Sequence, residues 1–218
     1  KVLLKPNLLT AASPTEAVTT HPLVIQAVST LVARAGGLVY IGDSPGSGSL
    51  DRVKEITGLA HAVEASGAKV AYFTEISEVS FEGRVQRNLP LTAVLKEMDV
   101  IINLAKLKTH TLTGLTAAVK NCYGFIVGKH KGRYHLENPR PDYFGHLLLD
   151  ICLAVKPHLN ILDAVIAMEG TGPKNGRPIQ AGLLAASPNP LALDAVAAAI
   201  TGFTTEQVTT LAAARKRD

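Results

Sequence analysis

The chain has 218 residues, 47% hydrophobic and 18% charged, with a formal net charge of +4 at neutral pH. That apolar content supports a sizeable core and excludes a disordered chain. Aromatics are scarce at 5% and tryptophan is absent, so despite an isoelectric point near 9.1 few stacking platforms exist for single-stranded nucleic acid.

Taken in order, Lys1 to Leu4 reads as a buried strand that stops at Lys5-Pro6-Asn7, because proline removes a ladder donor. The chain thus opens directly in a strand pattern, and we read it as a fragment whose natural ends lie beyond both termini. Thr19-Thr20-His21-Pro22 starts a helix that Gly36-Gly37 closes, and Leu38 to Ile41 is the second strand. The Gly/Ser loop from Gly42 to Ser49 can present backbone N–H groups to an anion, but it fits neither a Walker loop nor G-x-G-x-x-G. A helix from Asp51 to Ser66, broken near Gly58, leads to a third strand over Lys69 to Phe73. A hairpin follows over Val79 to Asn88, then a short helix over Leu91 to Lys96 and a fourth strand over Val100 to Leu104.

Strands alternating with helices predict an α/β fold with a mostly parallel, Rossmann-like sheet and helices on both faces, the whole chain forming one domain. Sites in such sheets lie beyond the carboxyl ends of the strands. Lys5 to Asn7, Asp43-Ser44 and Lys106 to His110 all follow strand ends, so three polar loops share one rim.

From Asp99 the next acidic residue is Glu137, and between them lie six cations and three histidines, an anion-attracting segment with an apolar helix candidate in its middle. Lys120 is the only charged residue from Thr111 to Gly128. An ammonium in apolar surroundings meets an anion, gives up its proton, or runs its stem along the core while its head reaches water. The first two outcomes make Lys120 an anion clamp, a general base or an attachment point. His130 and His135 sit in a Gly-containing loop at a spacing that matches no standard zinc pattern.

A helix from Asp142 to Val155 puts Asp142, His146 and Asp150 on one face, either a metal site or, more commonly, a solvated stripe. Asn160 to Met168 is a strand carrying Asp163, which must be paired or protonated if buried, and Glu169 leaves the strand's end. Lys120 or a nearby histidine is a candidate partner for either carboxylate. Ile179 to Ala186 is the last strand, and Pro190 to Thr201 and Thr204 to Ala214 are terminal helices, the first carrying Asp194 on an alanine-rich surface. Cys122 and Cys152 allow at most one disulfide and cannot make a four-cysteine cluster, so a reducing cytoplasm is the simplest compartment. No apolar run reaches the length of a membrane span and no signal sequence is visible.

These segments resemble a large prokaryotic family, the domain of unknown function 362, often labelled iron–sulfur-centre proteins. The resemblance covers nearly the whole chain. It rests on Lys5-Pro6-Asn7, Thr20-His21-Pro22, Gly42-Asp43-Ser44-Pro45, Asn103 to His110, Thr116, Lys120-Asn121, Asp163, Glu169-Gly170-Thr171-Gly172-Pro173 and Asp194. Many members carry a ferredoxin-like cysteine segment. It is lacking here, so the resemblance implies an iron–sulfur cluster only in another part of the parent protein or in a partner. More distantly, His110, Gly114, Thr116 and Lys120 are similar to the His-x3-Gly-x-Ser-x3-Lys segment of the nickel-pincer lactate racemase family. That likeness implies a tethering role for Lys120, acid/base work for His110 and a nickel ligand at His135. Ala117-Ala118-Val119 departs from that family's Gly-Gly pair before the lysine.

The leading expectation is an enzyme-like pocket for an anionic small molecule or cofactor. Lys106, Lys108 and Lys120 would hold negative charge, and His110 would move protons. Lys5, Asn7, Asp43, Ser44, Asn121 and Glu169 would complete the binding set, with His130 and His135 ligating a metal or closing over the pocket. The alternative is a docking or electron-transfer module for an acidic ferredoxin-type partner, with Lys129, Lys131 and Arg133 as its footprint. Binding to nucleic acid or membrane is not expected.

Overall fold

The computed structural model describes residues 1–217. Strand β1 (Val2–Pro6) is central and ends where Pro6 removes a donor. Helix α1 (Pro22–Arg34) follows, with Pro22 in its first turn and the His21 imidazole accepting from the Leu23 N–H at 3.3 Å. Then come β2 (Val39–Ile41), α2 (Leu50–Ile56), α3 (Leu59–Ser66) and β3 (Lys69–Val70). The break between α2 and α3 falls at Gly58, as expected, whereas the third strand is shorter than predicted.

The hairpin is present and extends further on both sides than expected: β4 (Ile76–Ser80) and β5 (Asn88–Thr92) form a separate two-stranded antiparallel sheet. A 3-10 turn over Ala93–Glu97 leads into β6 (Val100–His110). This strand is a correction to the sequence reading. It continues six residues past Leu104, so Lys106, Lys108 and His110 lie on the strand and not in a loop beyond it. Two things sustain it: β7 (Gly114–Thr116) folds back antiparallel on its end, and β8 (Leu159–Glu169) continues beside it across a register shift between Lys106 and Lys108.

The predicted helix in the basic segment is only one turn, α4 (Ala118–Asn121), followed by a 3-10 turn over Cys122–Phe125. A second correction concerns His130 and His135, expected in a loop. They lie on helix α5 (His130–Glu137). Helix α6 (Pro141–Val155), strand β9 (Arg177–Ser187), α7 (Pro190–Thr201) and α8 (Thr209–Arg215) complete the chain.

The main sheet has seven strands in the order β3-β2-β1-β6-β8-β9, with β7 on β6. Pairs β3–β2, β2–β1, β1–β6 and β6–β8 are parallel, and β9 runs antiparallel to β8. Alternation along β1 and β6 sorts the two faces. Leu4, Ile102 and Leu104 pack with Ile25, Val53 and Leu59 from α1 to α3. Leu3 and Ile101 pack with Phe144, Leu147, Leu148 and Ile151 of α6, each fully buried and each contributing about 1.5–3 kcal/mol. Ala105 and Leu107 meet Leu193 and Ala197 of α7. The strand order reverses between β1 and β6, and beyond the carboxyl ends of those two strands the sheet opens into a crevice.

Candidate functional site

That crevice holds a cavity of about 280 Å³. Lys5 and Asn7 enter it from the end of β1, Asp43 and Ser44 from the loop after β2, and Lys108 and His110 from the extended half of β6. Thr116 on β7, Lys120 and Asn121 on α4, Tyr123 and Gly124 in the 3-10 turn, and Lys131 and His135 on α5 close the far side, while Lys174 arrives from the loop after β8.

A polar framework fixes these groups. Lys108 Nζ donates to Asn7 Oδ1 at 3.1 Å and to the Val18 carbonyl at 2.5 Å. Asn7 Nδ2 donates to Asn121 Oδ1 at 2.9 Å, Asn121 Nδ2 to Asn103 Oδ1 at 2.7 Å, and Asn103 Nδ2 to Asn160 Oδ1 at 2.8 Å. This relay of four amides crosses β1, α4, β6 and β8, and holds the cavity floor to the sheet. Asp194 of α7 reaches under α4 and accepts from the Ala118 and Val119 N–H groups at 2.6 and 3.2 Å. Sequence placed Asp194 on an alanine-rich surface, but it is buried, and by satisfying the free donors of α4 it sets the direction in which Lys120 leaves the backbone. Burial pushes its carboxyl up to about 7 while the two backbone donors pull it back.

The charges do not balance. Five lysines face one carboxylate, Asp43, which Lys5 already holds at 2.9 Å. Asp43 also accepts from the Leu8 and Ser44 N–H groups. Lys108 is 1% exposed with only neutral oxygens as partners, and burial together with the Lys120 and Lys106 charges drives it well below its ordinary value. Burial, then repulsion from Lys5, lowers Lys120 to about 8. Lys131, whose Nζ donates to the Ser44 carbonyl, is lowered to about 8 chiefly by burial. His110 is pushed to about 2 by burial and then by Lys120 and Lys108. Its Nδ1 accepts from the Leu112 N–H at 3.1 Å, so the neutral ring carries its proton on Nε2 and is a donor. His135 stacks on Phe144 with centroids 4.5 Å apart and meets Tyr123 edge-on at 5.4 Å, at the mouth of the cavity. The Thr116 hydroxyl is buried without a partner among the described residues.

Of the residues singled out from sequence, Lys5, Asn7, Asp43, Ser44, Lys108, His110, Lys120, Asn121 and His135 meet in this cavity. Three do not. Lys106 turns away to a wholly buried pair with Asp163 at 2.8 Å, whose carboxylate also takes the His21 N–H. Glu169 lines a separate apolar groove and pairs with Arg177, so neither it nor Asp163 is a partner of Lys120. His130 lies outside, beside Lys129 and Arg133. Sequence reasoning passed over Lys174, Tyr123 and Thr116 as lining groups, and gave Lys131 to the outer surface. Lys174 directly follows the Glu169 to Pro173 motif, which was its one available signal.

Among the described residues no three His, Cys, Asp or Glu side chains converge as a metal site. Asp142 is held by Arg140, and Asp150 by Arg217 and the Arg84 and Val85 N–H groups, so the face of α6 is structural. Cys122 and Cys152 are buried free thiols, two where a four-cysteine cluster needs four. Ala117, Ala118 and Val119, where the racemase family has its Gly-Gly pair, are buried in the core beside Lys120. No helix is long and apolar enough to cross a membrane among the described residues.

A family model described as "Domain of unknown function (DUF362)" matches residues 2–199, in line with the motifs quoted above. The thylakoid-associated protein sll1697 of Synechocystis sp. (strain ATCC 27184 / PCC 6803 / Kazusa) is 39% identical over 214 residues. That match covers 98% of this chain and 66% of the relative, so the chain spans just under two thirds of the length of this curated relative.

Proposed function

Since the chain belongs to the DUF362 family, a domain of unknown function, we propose its role from the site: it binds a small carboxylate- or phosphate-bearing molecule in the rim cavity. One observation carries this reading: five lysines surround a cavity whose single carboxylate is already paired. Lys5 and Lys108 are buried, Lys120 and Lys131 half-buried and Lys174 exposed, and crowding like charges around a partly desolvated cavity costs stability unless an anion compensates it. The uncharged His110 Nε2–H and the unpartnered Thr116 hydroxyl add neutral donors for the remaining oxygens of the ligand. We place the protein in the cytoplasm on the same footing, because two free thiols suit a reducing compartment.

Docking of an acidic ferredoxin-type partner is less well supported. Of its three proposed cations, Lys131 is turned into the cavity and Arg133 is paired with Glu137.

Titration calorimetry with inorganic phosphate and with small dicarboxylates tests the reading. Replacing Lys120 with Met removes a charge-assisted contact and weakens binding about 10- to 100-fold. It does not lower the melting temperature of the free protein, because the Lys120 ammonium makes no hydrogen bond there. A double replacement of Lys129 and Arg133 leaves anion binding unchanged. The reverse pattern would favour the docking module.

A further inference from the structure

The lysines of the cavity are not equivalent. Lys5 Nζ rests on Asp43 and the Pro6 carbonyl, Lys108 on Val18 and Asn7, Lys131 on the Ser44 carbonyl and Lys174 on the Ser47 hydroxyl. Lys120 alone has no acceptor among the described residues. Its Nζ lies over the Tyr123 ring, 6.0 Å from the centroid. The turn that carries it is fixed by Asp194, which accepts from the Ala118 and Val119 N–H groups, and by the neighbouring Asn121 in the amide relay. A lysine anchored at its base and unengaged at its tip, among other cations, has the geometry of a nucleophile.

We propose that Lys120 condenses with the carbonyl group of a small aldehyde or ketone carrying a carboxylate or phosphate, forming a Schiff base. The inference rests on the anion-site reading, since the charged group must dock against the other lysines to bring the carbonyl to Nζ. The lone pair of the neutral amine forms the C–N bond while the C=O π pair moves to oxygen. The carbinolamine then loses water: its hydroxyl leaves with a proton released from nitrogen, and the C=N bond forms without any change in oxidation state. The His110 Nε2–H is placed to donate to the carbonyl oxygen as charge gathers there. With Lys120 near 8, its free-amine fraction at neutral pH exceeds that of a surface lysine by on the order of a hundredfold.

The test uses the full chain with pyruvate or pyridoxal 5′-phosphate, trapped with borohydride and read by intact mass and peptide mapping, beside calorimetric phosphate binding. The expected result is one adduct per chain at Lys120; with pyruvate the mass gain is that of pyruvate less one oxygen. Saturating phosphate should suppress it. A Lys120→Arg variant should lose the adduct while still unfolding cooperatively, and a Lys129→Met variant should keep it. Which probe reacts at the lower concentration identifies the anionic group. If the wild type binds phosphate yet gives no adduct, or gives adducts scattered over surface lysines such as Lys96 and Lys129, the Schiff-base role is overturned and the anion site stands. If it binds neither phosphate nor the probes, both readings fall.

Discussion

Lys106 and Lys108 are two residues apart on one strand, and both are buried almost completely, yet they do opposite things. Lys106 meets Asp163 and becomes part of the framework, whereas Lys108 meets only neutral oxygens at the cavity and is driven well below its ordinary value by burial. Burial alone therefore does not mark a functional lysine. The presence or absence of a carboxylate beside it does. Asp194 is the complementary case, an acidic side chain whose partners are backbone N–H groups. Replacing Asp194 with Ala leaves those two donors unsatisfied in the core. It should lower stability by about 1–3 kcal/mol in urea unfolding and weaken phosphate binding by freeing Lys120. Unchanged stability would show that α4 does not depend on this contact. The acidic-free run from Val100 to Leu136 was legible in sequence as an anion-attracting segment, and Lys120 stood out within it. Neither the idleness of its amine nor the anchoring from Asp194 was legible, because both depend on groups 74 or more residues away in the chain or on neighbours across the fold.

At the scale of elements, the site is made by short pieces that end early. Pro6 stops β1, the loop after β2 turns at Asp43, and α4 and its 3-10 turn lie across the gap between them. Gly124 lets that turn approach: a Cβ there would fall on Asp43 Oδ1 and on the Lys5 ammonium. A Gly124→Ala variant should therefore push the Lys5–Asp43 pair apart, costing about 1–3 kcal/mol in denaturant unfolding and weakening phosphate binding. If binding and stability were both unaltered, the close approach would be irrelevant to the site. Sequence pattern located most strands and the long helices well, because apolar periodicity and proline or glycine boundaries are local properties. It failed on β6, whose second half reads as a polar loop. Lys106 and Lys108 are strand residues only because β7 and β8 supply hydrogen-bond partners on either side.

For the molecule as a whole, the crowding of lysines around the cavity predicts a pH dependence. Lys120 and Lys131 both lie near 8 in the folded state, below their ordinary value of 10.5. Between about pH 8 and 10.5 the unfolded chain holds protons that the native state has already released, so these lysines make stability rise with pH across that window. Below 8 both states are protonated and the contribution is flat. Melts of the free protein should show this rise, and the Lys120→Met variant should show a shallower one. Saturating phosphate, by favouring the protonated lysines, should flatten it, and phosphate affinity should fall as pH passes 8. A rise of equal steepness in all three samples would rule out these groups as its source. By itself the sequence determined the α/β class, the mostly parallel sheet, and the rim on which the cavity opens with many of the residues that line it. Periodicity, turn chemistry and a charge run are written along the chain. Only the tertiary structure decided which lysine is neutralised, which histidine is held uncharged and which amine is left free. Those outcomes are set by through-space distances between residues far apart in sequence, and by the loss of water that makes each unpaired charge count.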